Sequence, residues 1–140
     1  MADTFDIEIA TPERLLAREK VIRAQIPAKD GYIGVLPDHA ALLSELGIGA
    51  LTYTTPSDQR FSLAISGGFV EILDNVVRVL SDVAEKGQEI DITRAEKALK
   101  RAQDAMVNPA LGMDIASALT ASLRAQARID AARKAVNKEE

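Results

Sequence analysis

The segment Lys86-Gly87-Gln88 divides the chain into two parts of different character. Before it, apolar and polar residues alternate in short runs that are interrupted by glycine, proline, aspartate and asparagine. After it, the sequence is rich in alanine and charge, has a single proline and follows a seven-residue repeat. Alternation is typical of half-buried strands, and a heptad is typical of packed helices. The sequence therefore predicts a β domain over residues 1–87 and a helical hairpin over residues 88–140.

Seven short runs in the first part have the alternation of strands. They lie at residues 5–9, 22–26, 32–36, 48–54, 61–65, 69–73 and 76–80. Asp74-Asn75 lies where a tight hairpin turn is expected. Strands this short, with turn signals this frequent, favour an antiparallel β-sandwich over a parallel sheet. Residues 36–44 are instead predicted to form a loop that leads into one helical turn. Ser66-Gly67-Gly68-Phe69 lacks the lysine of a phosphate-binding loop, so we expect a bulge or a tight connection there.

The second part predicts two helices. Thr93 and Glu96 have the spacing of a capping box, and Asp91 is a competing cap that would start the helix two residues earlier. The first helix is expected to end near Val107, before a turn through Asn108-Pro109 and Gly112. Asp114 is expected to cap the second helix, which continues to about Val136.

A heptad placed on these helices gives a seam of small residues. The seam positions are Ala95, Ala98, Ala102 and Ala105 on the first helix, and Ile115, Ala118, Ser122, Ala125, Ile129, Ala132 and Val136 on the second. Alanine permits close approach of two helices but buries little surface, at about 0.8 kcal/mol for each missing methylene. We therefore predict a weakly held hairpin.

The two flanks of this seam differ in chemistry. Leu99, Met106 and Leu119 make one flank mostly apolar, and we expect that flank to dock against the sandwich. The other flank carries Arg94 and Arg101 on the first helix, with Arg124 and Arg128 on the second. These arginines either point to solvent or surround an anion, for which the phosphates of a nucleotide are the natural candidate. On the residues alone, the solvent interpretation is favoured.

Composition excludes several classes of function. The net charge of −4 and a pI near 5.1 argue against nucleic acid as a partner. Cysteine is absent and His39 is the only histidine, so we expect no metal site. No apolar run is long enough to cross a membrane, so we expect no membrane insertion. The N-terminus has no secretory signal, which predicts an intracellular protein. No catalytic constellation is visible, so the residues indicate a noncatalytic binding or regulatory module.

Four segments together resemble the epsilon subunit of the bacterial F-type ATP synthase. They are Gly31-Tyr-Ile-Gly-Val-Leu-Pro-Asp-His-Ala40, Ser66-Gly-Gly-Phe-Val-Glu71, Val79-Leu-Ser-Asp-Val-Ala-Glu85 and Ile90-Asp-Ile-Thr-Arg-Ala95. The resemblance covers essentially the whole chain, in order and at matching spacing. Ala41 is a departure, because family members often have proline at that position.

The resemblance implies a β-sandwich with a two-helix hairpin, in agreement with the residue patterns. It implies a noncatalytic rotor subunit of the central stalk that binds the gamma subunit and the c-ring and couples proton flow to ATP synthesis in the alpha–beta head. Tyr32 is expected to face the c-ring, with His39 near the same end. The location implied is peripheral, on the cytoplasmic face of the bacterial plasma membrane.

The resemblance also implies two possible regulatory properties. In many members the hairpin extends along gamma and inhibits ATP hydrolysis, and in some it binds ATP when folded. The residues that match or would accompany that ATP pattern are Glu85, Ile90, Asp91, Arg94, Ala95, Arg101, Arg124 and Arg128. ATP is thus expected only as a regulatory ligand. The alternative function is a free-standing ATP-binding regulatory module. For Tyr32 and His39, ordinary loop positions remain the alternative.

Overall fold

A computed structural model describes residues 2–108 and 114–136 of the chain. Eight strands are followed by a short 3₁₀ helix at Gly87–Glu89 and two α-helices. The strands are β1 (Phe5–Ala10), β2 (Leu15–Val21), β3 (Arg23–Ala28), β4 (Gly31–Val35), β5 (Leu42–Glu45), β6 (Ile48–Thr54), β7 (Arg60–Leu73) and β8 (Val76–Lys86). The helices are α1 (Ile92–Val107) and α2 (Ile115–Val136).

The strands form a sandwich, which confirms the predicted fold class. Their order is β2-β1-β8-β7-β6-β3-β4, with β5 pairing to β7 beside this path. Among the pairings between the described strands, only that of β1 with β8 is parallel. The interior is filled by apolar side chains from both layers, including Ile7, Ile26, Leu51 and Ile65. This core provides the rigid platform on which the helices lie.

The Gly67-Gly68 pair bends one long strand so that it serves both layers. Residues 60–66 of β7 pair with β6, and residues 69–72 pair with β5. Gly67 and Gly68 have φ of 76° and 107°, and a Cβ on Gly68 would lie 2.1 Å from the Leu80 carbonyl oxygen. The register with β8 is the same on both sides of the bend, so the predicted bulge inserts no extra residue. Residues 61–65 and 69–73, predicted as separate strands, are therefore one strand.

Turn chemistry predicted one hairpin correctly, whereas two strands were missed. Asp74 and Asn75 both have positive φ, of 51° and 62°, as a two-residue hairpin turn with the twist of the strands requires. β2 was missed. The predicted helical turn after Leu36 was wrong, because Leu42–Glu45 is a strand that pairs with β7. Pairing with an available strand overrides the helical preference of the alanine and leucine residues at 40–43.

Both helices begin at an aspartate cap. The side chain of Asp91 accepts a hydrogen bond from the Arg94 backbone N–H at 3.2 Å, so Asp91 and not Thr93 starts α1. Asp114 accepts from the Ser117 N–H at 2.7 Å, as predicted. Two further hydrogen bonds from Ser117 and Ala116 help to hold the pKa of Asp114 below its usual value. The ends of α1 and α2 also agree with prediction. The predicted turn through Pro109 and Gly112 lies outside the described residues.

The alanine seam between the helices is confirmed. Its buried members are Ala95, Ala102, Ala105, Ala118, Ser122, Ala125, Ile129 and Ala132. Ala98 is half-buried, and Ile115 at the start of α2 is 61% exposed. The helices are therefore held together mainly by small side chains, each of which contributes little apolar burial.

Candidate functional site

The helical hairpin rests on the sandwich through α2, along a surface that we call the α2 docking interface. Its apolar part consists of Ala127 and Ala131 of α2 packed against Ala50 and Ala64 of the sheet. Ile48 and Ile90 pack at its border. The predicted apolar flank does not make this contact: Leu119 is 49% exposed. The sheet presents small side chains here, so small residues of α2 fit it better than leucines do.

Two arginines of α2 complete the docking interface with polar contacts. Arg128 Nε lies 2.8 Å from Glu85 Oε1, and its terminal nitrogen donates to Glu85 Oε2 at 3.3 Å. Arg124 Nε donates to Ser66 Oγ at 2.9 Å. The two-point contact between guanidinium and carboxylate fixes orientation as well as distance. The solvent interpretation was therefore wrong for these two arginines, which bind the sandwich.

A third polar contact joins β7 to the middle of α2. Ser62 Oγ donates a buried hydrogen bond of 2.6 Å to the carbonyl oxygen of Ala131. The same carbonyl lies close to the 3₁₀ helix, because a Cβ built on Gly87 would lie 2.4 Å from it. Gly87 therefore permits the backbone of α2 to approach the end of the sandwich.

The candidate ATP residues are only partly brought together. Glu85, Arg124 and Arg128 line one small cavity of about 40 Å³ beside Ser66. Ligand pockets usually have volumes of about 300 Å³ or more. A nucleotide therefore does not fit this cavity in the conformation described, in which Glu85 and Ser66 contact the two arginines.

The remaining candidate ATP residues have structural contacts or face solvent. Asp91 caps α1, Ala95 is fully buried in the seam, and Ile90 packs at the border of the docking interface. Arg94 and Arg101 lie on α1 and are exposed. In the structure, Asp91 thus stabilises the start of α1, and Ala95 packs α1 against α2.

Tyr32 is the second residue of the edge strand β4, and His39 lies in the loop that joins β4 to the edge strand β5. The Tyr32 hydroxyl accepts from the Ala50 N–H at 3.1 Å, although the side chain is 51% exposed. His39 Nδ1 lies 2.7 Å from the Ala40 carbonyl oxygen. The preceding residue, Asp38, has a φ of 63°, and its N–H donates to Asn75 Oδ1 at 2.8 Å. The loop is thereby held against the β7–β8 turn.

Sequence reasoning missed Ser62, Ser66 and Gly87 as docking residues. The signal was available in β7, where Ser62, Ala64 and Ser66 alternate and must share one face of the sheet. A face made of small and hydroxyl side chains can accept a helix at close range.

Neither described helix has the length and hydropathy needed to cross a membrane.

Comparison with known proteins matches both the sandwich and the hairpin to ATP synthase epsilon chains. The family model of the ATP synthase delta/epsilon chain β-sandwich domain matches residues 4–87. The ATP synthase epsilon chain of Solibacter usitatus is 54% identical over 134 residues, which cover 96% of this chain and 99% of the relative. That of Syntrophomonas wolfei is 41% identical over 131 residues, covering 94% and 96%.

The fold also occurs in a solved structure. A chain in the mitochondrial ATP synthase of Euglena gracilis superimposes with a TM-score of 0.75 at 24% identity, over 98% of this chain and 83% of that one. This likeness concerns the fold, whereas the sequence matches establish the family. Because the relatives match across both the sandwich and the hairpin, the chain belongs to the ATP synthase epsilon chain family.

Proposed function

We propose that this chain is a noncatalytic rotor subunit in the central stalk of a proton-translocating F-type ATP synthase. The observation that carries the proposal is the 54% identity to an ATP synthase epsilon chain over 96% of this chain, hairpin included. In this role it links the gamma subunit to the c-ring and turns with them beneath the alpha–beta head. It acts as a peripheral subunit on the cytoplasmic face of the bacterial membrane.

The edge segment of the sandwich is the part that we assign to the c-ring. This edge segment is β4 with the loop that follows it, and it contains Tyr32, Leu36 and His39, of which Tyr32 and Leu36 are largely exposed. The hydrogen bonds to Ala50 and Asn75 support this segment from behind, so it presents a defined surface. A rigid surface costs little ordering entropy on association.

Co-purification from the source cell tests the rotor assignment. A tagged chain should recover the gamma subunit, the c subunit and the alpha–beta head from solubilised membranes. Tyr32→Ser combined with His39→Ser should reduce recovery of the c subunit more than recovery of gamma. Lys97→Ser on exposed α1 is the control and should reduce neither. Recovery of the chain alone would instead favour a free-standing ATP-binding regulatory module.

The hairpin is the part that we assign to regulation. Its helices meet mainly through alanines, and within the described residues α2 meets the sandwich through a cluster of four alanines bordered by Ile48 and Ile90 and through three polar contacts. These contacts bury little apolar surface, so exchanging them for contacts along gamma is inexpensive. An extended hairpin would then inhibit ATP hydrolysis in the head, and the docked hairpin would not.

ATP is the ligand that we propose to stabilise the docked hairpin. The phosphates would be held by Arg94 and Arg101 of α1 together with Arg124 and Arg128 of α2, so that the ligand ties the two helices together while Glu85 keeps its contact with Arg128. A ligand that binds only this state stabilises it by about 2.7 kcal/mol at one hundred times its Kd. That is enough to change the population of a nearly balanced equilibrium almost completely.

Calorimetric titration of the whole chain with ATP tests this assignment. Arg128→Ala should abolish binding, and Arg133→Ala, which removes an exposed arginine one and a half turns further along α2, should leave it unchanged. Absence of heat at millimolar ATP would show that the chain does not bind ATP and that residues 90–95 only form the start of α1. That result would leave the rotor assignment intact.

A further inference from the structure

A cavity of about 310 Å³ opens at the edge of the sandwich, between β2, the start of β7, the end of β8 and Ala135 of α2. Its apolar wall is formed by Leu16, Tyr53, Phe61 and Leu63. Tyr53 and Phe61 are paired across β6 and β7, and their rings stack with centroids 5.3 Å apart. The volume is at the lower end of the range for ligand pockets and suits one small ring system.

The rim of this cavity carries an excess of positive charge. Arg18, Arg60 and Lys86 line it, against a single carboxylate, that of Glu19. Arg18 is paired with Glu8 at 2.9 Å, so its charge is already matched. Within residues 2–108 and 114–136, neither Arg60 nor Lys86 has a carboxylate at ion-pair distance. Of the cations on the rim, these two therefore have no carboxylate partner in the described part of the chain.

Register places Lys86 on the same side of the sheet as the apolar wall. Lys86 pairs directly with Leu63 in the β7–β8 ladder, and residues that pair directly project to one face. Glu85, its neighbour, projects to the opposite face, where it meets Arg128. The lining of the cavity contains none of the candidate ATP residues, although Ser62 and Ala135 extend its border to α2.

The single carboxylate in the cavity already has a partner. The Tyr53 hydroxyl donates to Glu19, and burial followed by this hydrogen bond raises the pKa of Tyr53 above its usual value. The phenol therefore remains a donor that is committed to Glu19 across the neutral range. An anionic ligand is left with Lys86 and Arg60 as its recognition groups.

We propose that this cavity is a binding site for a small aromatic carboxylate. The ligand ring lies against Phe61, the partly exposed member of the stacked pair, in the offset arrangement that aromatic pairs prefer, and the carboxylate meets Lys86 and Arg60. Neither the assignment of the chain to the rotor nor the ATP proposal is needed for this inference, because the cavity uses other side chains.

Titration of the isotopically labelled whole chain with 2-naphthoate tests the site. The amide signals of Tyr53, Phe61 and Leu63 should shift, with saturation below about 1 mM. The neutral amide 2-naphthamide should bind at least about tenfold more weakly, because a charge-assisted hydrogen bond is lost. Naphthoate shifts confined to other residues, or no shifts at millimolar concentration, would overturn the proposal.

Substitution of the lysine provides the second measurement. Lys86→Met keeps an unbranched side chain that is one atom shorter and removes its charge, so it should weaken naphthoate binding at least about tenfold and leave naphthamide binding unchanged. Lys97→Met, on the exposed surface of α1, should bind both probes as the unmodified chain does. Equal loss of both probes in Lys86→Met would contradict recognition of the carboxylate.

Discussion

Ser62 of β7 and Ala131 of α2 are joined by a buried hydrogen bond of 2.6 Å, in which the serine hydroxyl donates to a carbonyl in the interior of a helix. Such a carbonyl normally already accepts from the residue four positions later, so the serine supplies a second donor. The bond therefore stabilises the packing of the hairpin on the sandwich more than it stabilises the helix itself.

Ser62→Ala should weaken docking of α2 by about 1 kcal/mol, the typical net contribution of one hydrogen bond. Ala131 would keep its bond within the helix, so the helix itself should persist. Hydrogen exchange should become about fivefold faster for amides of the docking interface. Ser44→Ala is the control, because among the described residues its hydroxyl bonds to its neighbour Glu45 alone. Unchanged exchange in Ser62→Ala would show that the bond contributes nothing to docking.

Gly87→Ala should undock α2 more strongly than Ser62→Ala. The new Cβ would lie 2.4 Å from the Ala131 carbonyl oxygen and 2.9 Å from the Ala131 carbonyl carbon, so the backbones must separate. If the extended hairpin inhibits, ATP hydrolysis by the reconstituted complex should fall.

The matched control for Gly87→Ala is Gly34→Ala, where a Cβ meets no atom within 4 Å and the φ is not positive. It should leave docking of α2 unchanged, and hydrolysis is compared in a complex without the c-ring, because Gly34 lies on the edge segment assigned to the c-ring. Undocking in Gly87→Ala without a change in hydrolysis would separate hairpin release from inhibition. Similar effects of the two substitutions would indicate a general cost of losing glycine.

Asp91→Ala should destabilise the start of α1 by about 1 kcal/mol, since its carboxylate caps the helix. Thr93→Ala is the comparison. Thr93 lies inside the helix, and it should change stability by only a few tenths of a kcal/mol. Amide exchange in the first turn reads out both variants. A larger loss of stability in Thr93→Ala than in Asp91→Ala would show that Thr93, and not Asp91, caps the helix.

Acid should loosen the start of α2. Hydrogen bonds from Ser117 lower the pKa of Asp114 in the folded chain. A lowered folded pKa means that the stabilisation is present above the unfolded value of about 3.9 and is lost as the pH falls through the folded value. The Ser117 amide resonance should report that titration. In Asp114→Asn, which retains an acceptor without the charge, this pH dependence should disappear.

The sequence predicted those features that depend on neighbours along the chain. The Asp74-Asn75 turn, the Asp114 cap and the alanine seam each follow from local conformational preference or helical spacing. β5 and the docking face of α2 depend on what lies opposite in space. Leu119 had the hydrophobicity to dock, but Ala50 and Ala64 left room only for alanines. Likewise, Arg124 and Arg128 could not be assigned to Ser66 and Glu85 without the sheet geometry.

The alanine seam also determines how opening of the hairpin would respond to temperature. The heat capacity change of an unfolding step grows with the apolar area it exposes, and side chains such as Ala95, Ala102 and Ala125 expose very little. Separation of α1 from α2 should therefore have nearly constant enthalpy over the physiological range. Melting of the sandwich, with Ile7, Ile65 and Leu51 in its core, should have the strongly curved stability typical of a globular domain. The free energy of opening the hairpin would then change almost linearly with temperature, whereas the stability of the sandwich would follow a curve with a maximum.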